Sequence, residues 1–146
     1  MRFGRILMGS ALLGAGLLVA PGVAEAAPAA GSCVGGAFRG QPSSGARVSP
    51  RQTIRLQLSV EVTGGPVAGC SRDVLLSGPV SFVAAGPSGA YWPATSFGPM
   101  AEVDWSGGFP AGTRLHGTIT LKVPATAASG AVITATSGSA VTYTVR

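Results

Sequence analysis

Five apolar residues, Ile54, Leu56, Leu58, Val60 and Val62, alternate without a lapse with polar ones along "TIRLQLSVEVT", Thr53 to Thr63. A period of two gathers them on one face of an extended chain, whereas helical spacing would scatter them round a cylinder. The segment therefore predicts a half-dry β-strand. The rhythm recurs downstream. Arg114–Val123 sets Leu115, Gly117, Ile119, Leu121 and Val123 against Arg114, His116, Thr118, Thr120 and Lys122. Ala101, Val103 and Trp105 share one side of a short run whose other side carries Glu102 and Asp104, and Val141, Tyr143 and Val145 stay in register in Ala140–Val145. Apolar runs at Asp73–Leu76, Val80–Ala85, Ala90–Phe97 and Ala131–Thr136 bring the total to seven or eight strands, separated by Gly, Pro and Ser turns.

Each half-dry sheet must bury its apolar face against a second layer. Short strands with turn signals every ten residues or so predict a β-sandwich. The expected cover for the dry face of Thr53–Thr63 is the Leu115–Val123 strand, placed in the opposing sheet. A transmembrane barrel is a poor match, since aromatic girdles are missing and several strands are too short to span.

The first 26 residues carry a different pattern. Arg2 and Arg5 precede an apolar run from Ile6 to Ala20, Pro21-Gly22 breaks it, and Ala24-Glu25-Ala26 supplies small residues at the −3 and −1 positions. This predicts a signal peptide, 1–26, cleaved after Ala26. The run is shorter than the roughly 20 residues that span a bilayer, so no transmembrane segment is expected after cleavage. Export by the general secretory route follows, to an extracellular or periplasmic location. Residues 27–50 are rich in Gly, Pro, Ser and Ala, with Val34, Phe38 and Val48 the bulky apolar positions. They predict a loop-rich segment with at most one short strand beside Cys33, tied to a sandwich at 51–146 through that cysteine.

The C-terminal third, "FPAGTRLHGTITLKVPATAASGAVITATSGSAVTYTV" from Phe109 to Val145, resembles the closing strands of immunoglobulin-like repeats of bacterial secreted and cell-surface proteins. The shared features are a Pro-Ala-Gly turn, an alternating strand ending in Val-Pro, a Ser-Gly turn and two short strands. The resemblance implies an antiparallel immunoglobulin-like β-sandwich of about seven strands, serving as a structural or adhesive module without catalytic residues. A fainter likeness is to pilin-like subunits, which also pair an early cysteine with one 35 to 40 residues on. Those need a donor strand before the first cysteine, and Ala27–Ser32, "APAAGS", is short and Ala/Gly-rich for that role.

Composition narrows the chemistry further. Beyond residue 26 the chain keeps eight basic and four acidic residues, the basic ones scattered rather than run together. Neither a charge run nor a basic patch with interleaved aromatics is present, so nucleic acid is not an expected partner. Two cysteines, Cys33 and Cys70, in an exported chain predict a structural disulfide. The alternatives are a reactive thiol or a soft-metal site, for which His116, the one histidine, offers little support.

No phosphate-binding glycine loop, zinc spacing or Gly-x-Ser-x-Gly elbow occurs, so no cofactor or metal is expected. A nucleophilic triad would have to use His116 on a wet strand face. Glu102 and Asp104 point the same way, roughly 7 Å apart from the strand rise, but paired glycosidase carboxylates come from facing elements. Non-enzymatic function is the expectation. Tyr91, Trp92, Phe97, Trp105 and Phe109 cluster within 19 residues. Trp105 alternates with core positions, while Tyr91-Trp92 precedes Pro93, which cannot sit inside a central strand. Tyr91 and Trp92 are thus the candidate ligand-binding pair. The expected role is a structural or interaction module at or beyond the cell surface, its partner a surface protein or a wall polysaccharide. The alternative is a small carbohydrate- or cell-wall-binding module.

Overall fold

The structure is a computed structural model that describes residues 30–146. The expected signal peptide, 1–26, lies outside the described residues. Ten strands make up the described chain: β1 (Ser32–Gln41), β2 (Arg47–Val48), β3 (Thr53–Thr63), β4 (Val67–Ser77), β5 (Ser81–Gly86), β6 (Ser88–Trp92), β7 (Met100–Phe109), β8 (Arg114–Lys122), β9 (Val132–Ser137) and β10 (Ser139–Val145). They form a four-stranded sheet in the order β1-β3-β8-β5 and a six-stranded sheet in the order β2-β10-β9-β4-β7-β6. All pairings are antiparallel except the two-residue β2, which runs parallel to β10.

The alternation of the sequence becomes the core. Ile54, Leu56, Leu58, Val60 and Val62 of β3 are buried together with Ile119 and Leu121 of β8. The six-stranded sheet contributes Val74 and Leu76, Ala101, Val103 and Trp105, Ile133 and Ala135, and Val141, Tyr143 and Val145. These residues form one cluster between the sheets. Burying a side chain of this size contributes about 1.5–3 kcal/mol, so the two-faced pattern itself supplies the folding drive.

One expectation is corrected here. The Arg114–Lys122 strand does not cover Thr53–Thr63. It lies beside it, with Leu56 opposite Ile119 and Leu58 opposite Gly117. Alternation says which side of a strand is dry but not which sheet its partner joins, and identical parities suit lateral pairing as well as face-to-face packing. The covering layer is β4, β7, β9 and β10. At Gly117 the two layers come close: a Cβ there would stand 2.7 Å from both Trp105 and Val103, and Trp105 Nε1 donates to the His116 carbonyl at 2.9 Å. Tyr143 makes a second bridge, its hydroxyl donating to the Pro42 carbonyl at 2.6 Å past Gly40, which leaves room for the ring.

The segment that composition marks as loop-rich is more regular than expected. β1 pairs with β3 almost end to end. Its pattern is masked by a bulge: Gly35 faces Val60 and Phe38 faces Leu58, so Gly36 and Ala37 together oppose Ser59 alone. The inward set is therefore Cys33 and Gly35 before the bulge, then Phe38 and Gly40 after it. One inserted residue shifts the phase and hides the period of two.

Cys33 and Cys70 are joined in a disulfide that ties β1 of one sheet to β4 of the other, across a sequence separation of 37. Closing a span of that size stabilises the fold by roughly 4 kcal/mol on the chain-entropy account. At the opposite edge the chain passes from β5 into β6 through Gly86 and Pro87, changing sheets. There Phe82 and Tyr91 stack with centroids 5.1 Å apart and planes 4° from parallel, closing that side of the sandwich.

Candidate functional site

The chemistry-bearing side chains are divided between two outer faces. On the six-stranded sheet, register places Trp92, Met100 and Leu75 in one cross-strand row. The next row holds Ala90, Glu102 and Asp73, and the one after it Ser88, Asp104 and Ser71. All point away from the core, because their neighbours Val74, Ala101, Val103 and Trp105 are buried. Trp92 is 40% exposed. It ends β6 because Pro93 has no amide hydrogen to continue the ladder. Adjacent residues of a strand face opposite ways, so Tyr91 turns inward onto Phe82. The structure therefore does not bring the two candidate aromatics to one surface: Trp92 lies on the outer face, and Tyr91 anchors its strand from beneath.

Glu102 faces Asp73 directly across the strands, with Asp104 two residues on. Partial burial raises the Glu102 pKa, and repulsion from Asp104 and Asp73 and hydrogen bonds with the same two residues raise it further. Its carboxyl thus takes up a proton more readily than an ordinary glutamate as pH falls. A row of apolar surface ending in an indole, beside carboxyl groups that can donate or accept, suits the faces and hydroxyls of a sugar.

His116 lies elsewhere. It is exposed on the outer face of the four-stranded sheet, opposite Ser59. Glu102 and Asp104 point outward from the other sheet, and packed sheets are roughly 10 Å apart. The core therefore separates the imidazole from both carboxylates. Among the described residues no group of three or more His, Cys, Asp and Glu is placed to hold a metal ion. Among the same residues no helix is long and apolar enough to cross a membrane.

Arg72 is the residue that the sequence reasoning missed. It is in step with Cys70, Val74 and Leu76 on the inner face of β4, opposite the buried Val103. Its guanidinium fills the gap that the β1 bulge opens. Nη1 donates to the carbonyls of Ser59 at 2.6 Å, Gly36 at 3.1 Å and Ala37 at 3.1 Å. Nε reaches Ser137 Oγ and Nη2 the Ser137 carbonyl, each at 2.9 Å. The group also lies 5.7 Å from the centroid of the Phe38 ring. Burial lowers its pKa from the ordinary value. Among the described residues no carboxylate pairs with it; the ion pair found there is Arg114 Nε to Glu61 Oε1 at 3.9 Å. Arg72 thus joins β4 to β1, β3 and the β9–β10 turn. The available signal was parity, for it is the one charged residue on the dry side of β4.

No protein-family model matches the chain, and no curated protein matches it.

Proposed function

We propose that the protein is an exported, non-enzymatic interaction module, an immunoglobulin-like β-sandwich that meets its partner on an outer sheet face. The observation that carries this reading is the separation of His116 from Glu102 and Asp104 on opposite outer faces, while one of those faces presents Trp92, Met100 and Leu75 in a row. The disulfide between the sheets is compatible with an oxidising, extracellular setting.

Strand order supports the immunoglobulin-like type. With β1, β3, β8 and β5 as strands A, B, E and D, and β10, β9 and β4 as G, F and C, the neighbours match that fold's two sheets. There are two departures. The β6–β7 hairpin is inserted between D and E and extends the sheet beyond C. The disulfide joins A to C rather than B to F.

A second reading, that the partner is a carbohydrate of the cell wall, is favoured by the exposure of Trp92 beside Glu102 and Asp73. Sedimentation of the purified protein with insoluble polysaccharides, and with isolated walls before and after removal of their proteins, separates the readings. Depletion by polysaccharide and stripped walls supports a glycan partner. Depletion by unstripped walls alone supports a protein partner. Depletion by none of them, or turnover of a substrate abolished by one side-chain change, overturns the proposal.

A further inference from the structure

The β1 bulge also shapes the opposite surface. Gly36 and Ala37 lack bulk, and a Cβ on Gly36 would push Ser59 Oγ from its place. Above them, on the outer face of the four-stranded sheet, lies a hollow of about 320 Å³. Five side chains around it, Arg39, Gln57, Ser59, His116 and Thr118, come from three adjacent strands. Register sets Arg39 beside Gln57 and Thr118, and Ser59 beside His116. Each of these side chains can donate a hydrogen bond, and no carboxylate lines the hollow. An adjoining hollow of about 360 Å³ shares Ala37, Arg39, Ser59 and His116 with it and adds Glu61 and Arg114. Glu61 pairs with Arg114 at 3.9 Å, and among the described residues no carboxylate forms an ion pair with Arg39. Arg72 adds a further positive charge from behind the floor, bonded to the carbonyls of Ser59, Gly36 and Ala37.

The geometry points to a binding site for a phosphate-ester oxyanion in this hollow, with Arg39 as its principal cation and Ser59, Gln57, Thr118 and His116 as neutral or charged donors. A planar guanidinium matches two oxygens of a phosphate, and charge-assisted bonds of this kind are about twice as strong as neutral ones. A concave lining in which every polar side chain can donate and none is a carboxylate suits a group that only accepts. The site is independent of Trp92, which lies on the other sheet, so it stands or falls separately from the glycan reading.

Titration of the purified protein with inorganic phosphate, followed by backbone amide and imidazole NMR, tests it. The expected result is saturable shifts confined to residues 36–39, 57–59 and 116–118. Arg39→Gln should weaken binding about tenfold, the loss of one charge-assisted contact. Arg55→Gln, an equal change in charge on the same face but outside the hollow, should leave it unchanged. Matching melting curves establish that both variants are folded. Polyphosphate and phosphatidylglycerol vesicles then identify the source: preference for the soluble polymer assigns a wall or free polyphosphate, and preference for vesicles a lipid headgroup. Both outcomes uphold the phosphate chemistry. Shifts spread over every basic residue, or equal weakening by the two Arg variants, would mean net charge alone and would overturn the assignment, as would no shift at all.

Discussion

Arg72→Met tests whether one side chain holds the two sheets and the β1 bulge together. Methionine keeps much of the stem's length and apolar contact but removes the guanidinium. The native group makes five contacts of 2.6–3.1 Å to Ser59, Gly36, Ala37 and Ser137. Hydrogen bonds to charged groups contribute about 1.5–3 kcal/mol each, but a direct sum overshoots. The side chain is half-buried, three acceptors share Nη1, and water can enter to satisfy freed carbonyls. Discounting for that access leaves about 3 kcal/mol, the low end for breaking a buried charge network. For a domain of this size the melting temperature should fall by about 10 °C. Equilibrium unfolding in urea, with the disulfide oxidised and the m-value checked for constancy, is the assay. Arg72→Lys should recover less than half the loss, because one ammonium cannot span the Ser59 and Ser137 acceptors. A loss under about 0.5 kcal/mol for Arg72→Met, or a lysine variant as stable as wild type, would refute the reasoning.

Two other positions carry expectations of similar kind. Gly117→Ala introduces a methyl group against Trp105 and Val103, both 2.7 Å from its site, and should cost about 1–3 kcal/mol by overpacking, measured by the same unfolding curves with a red shift in Trp105 emission. Glu102→Gln relieves like charges facing each other across β4 and β7 and should stabilise the protein at pH 7 by about 0.5 kcal/mol at low salt. The Glu102 pKa is raised in the fold, so its favourable contribution is complete below the usual carboxylate range and is lost as pH rises through the folded value. The advantage of glutamine should therefore shrink as pH falls through the raised folded value toward the ordinary glutamate range and be nearly gone by about pH 3, and unfolding series at pH 3 and pH 7 check the sign.

The legible and illegible parts of the fold separate along physical lines. Burial of every second residue was written plainly into Thr53–Thr63 and Arg114–Val123, because the dry side of a strand must be apolar wherever the strand goes. Their lateral pairing was not, since the same alternation serves neighbours in one sheet and partners across two. β1 was hidden for a different reason: the inserted residue at Gly36-Ala37 changes the phase midway, and glycines at Gly35 and Gly40 replace the bulky residues that would mark a dry side. Arg72 was passed over as one of eight scattered basic residues, although its parity with Cys70 and Val74 set it apart. At the aromatic pair, the expected run Ala90–Phe97 passes through Pro93, whereas the strand covers Ser88–Trp92 and stops there, because the proline that marked Trp92 for exposure has no amide hydrogen to continue the ladder. Strand geometry then sends Tyr91 to the interior, a consequence of adjacency that the clustering of aromatics concealed.

The phase shift in β1 also links the two halves of the account. Its inner side creates the gap that Arg72 fills, and its outer side creates the hollow beside Arg39. The fold's main irregularity is thus a structural latch on one side and a candidate binding surface on the other, as bulges at sheet edges tend to be.

The measurement that bears most directly on the proposed function compares wild type with Trp92→Ala for depletion from solution by isolated cell walls that retain their attached proteins, with melting curves recorded on both. Walls in that state offer polysaccharide and protein partners together. The account predicts that wild type is depleted, that Trp92→Ala is depleted at least about fivefold less, in the range of losing one partly exposed aromatic contact, and that their melting temperatures agree within about 2 °C, as expected for an exposed site. Equal depletion of the two proteins, or none of either, would contradict it.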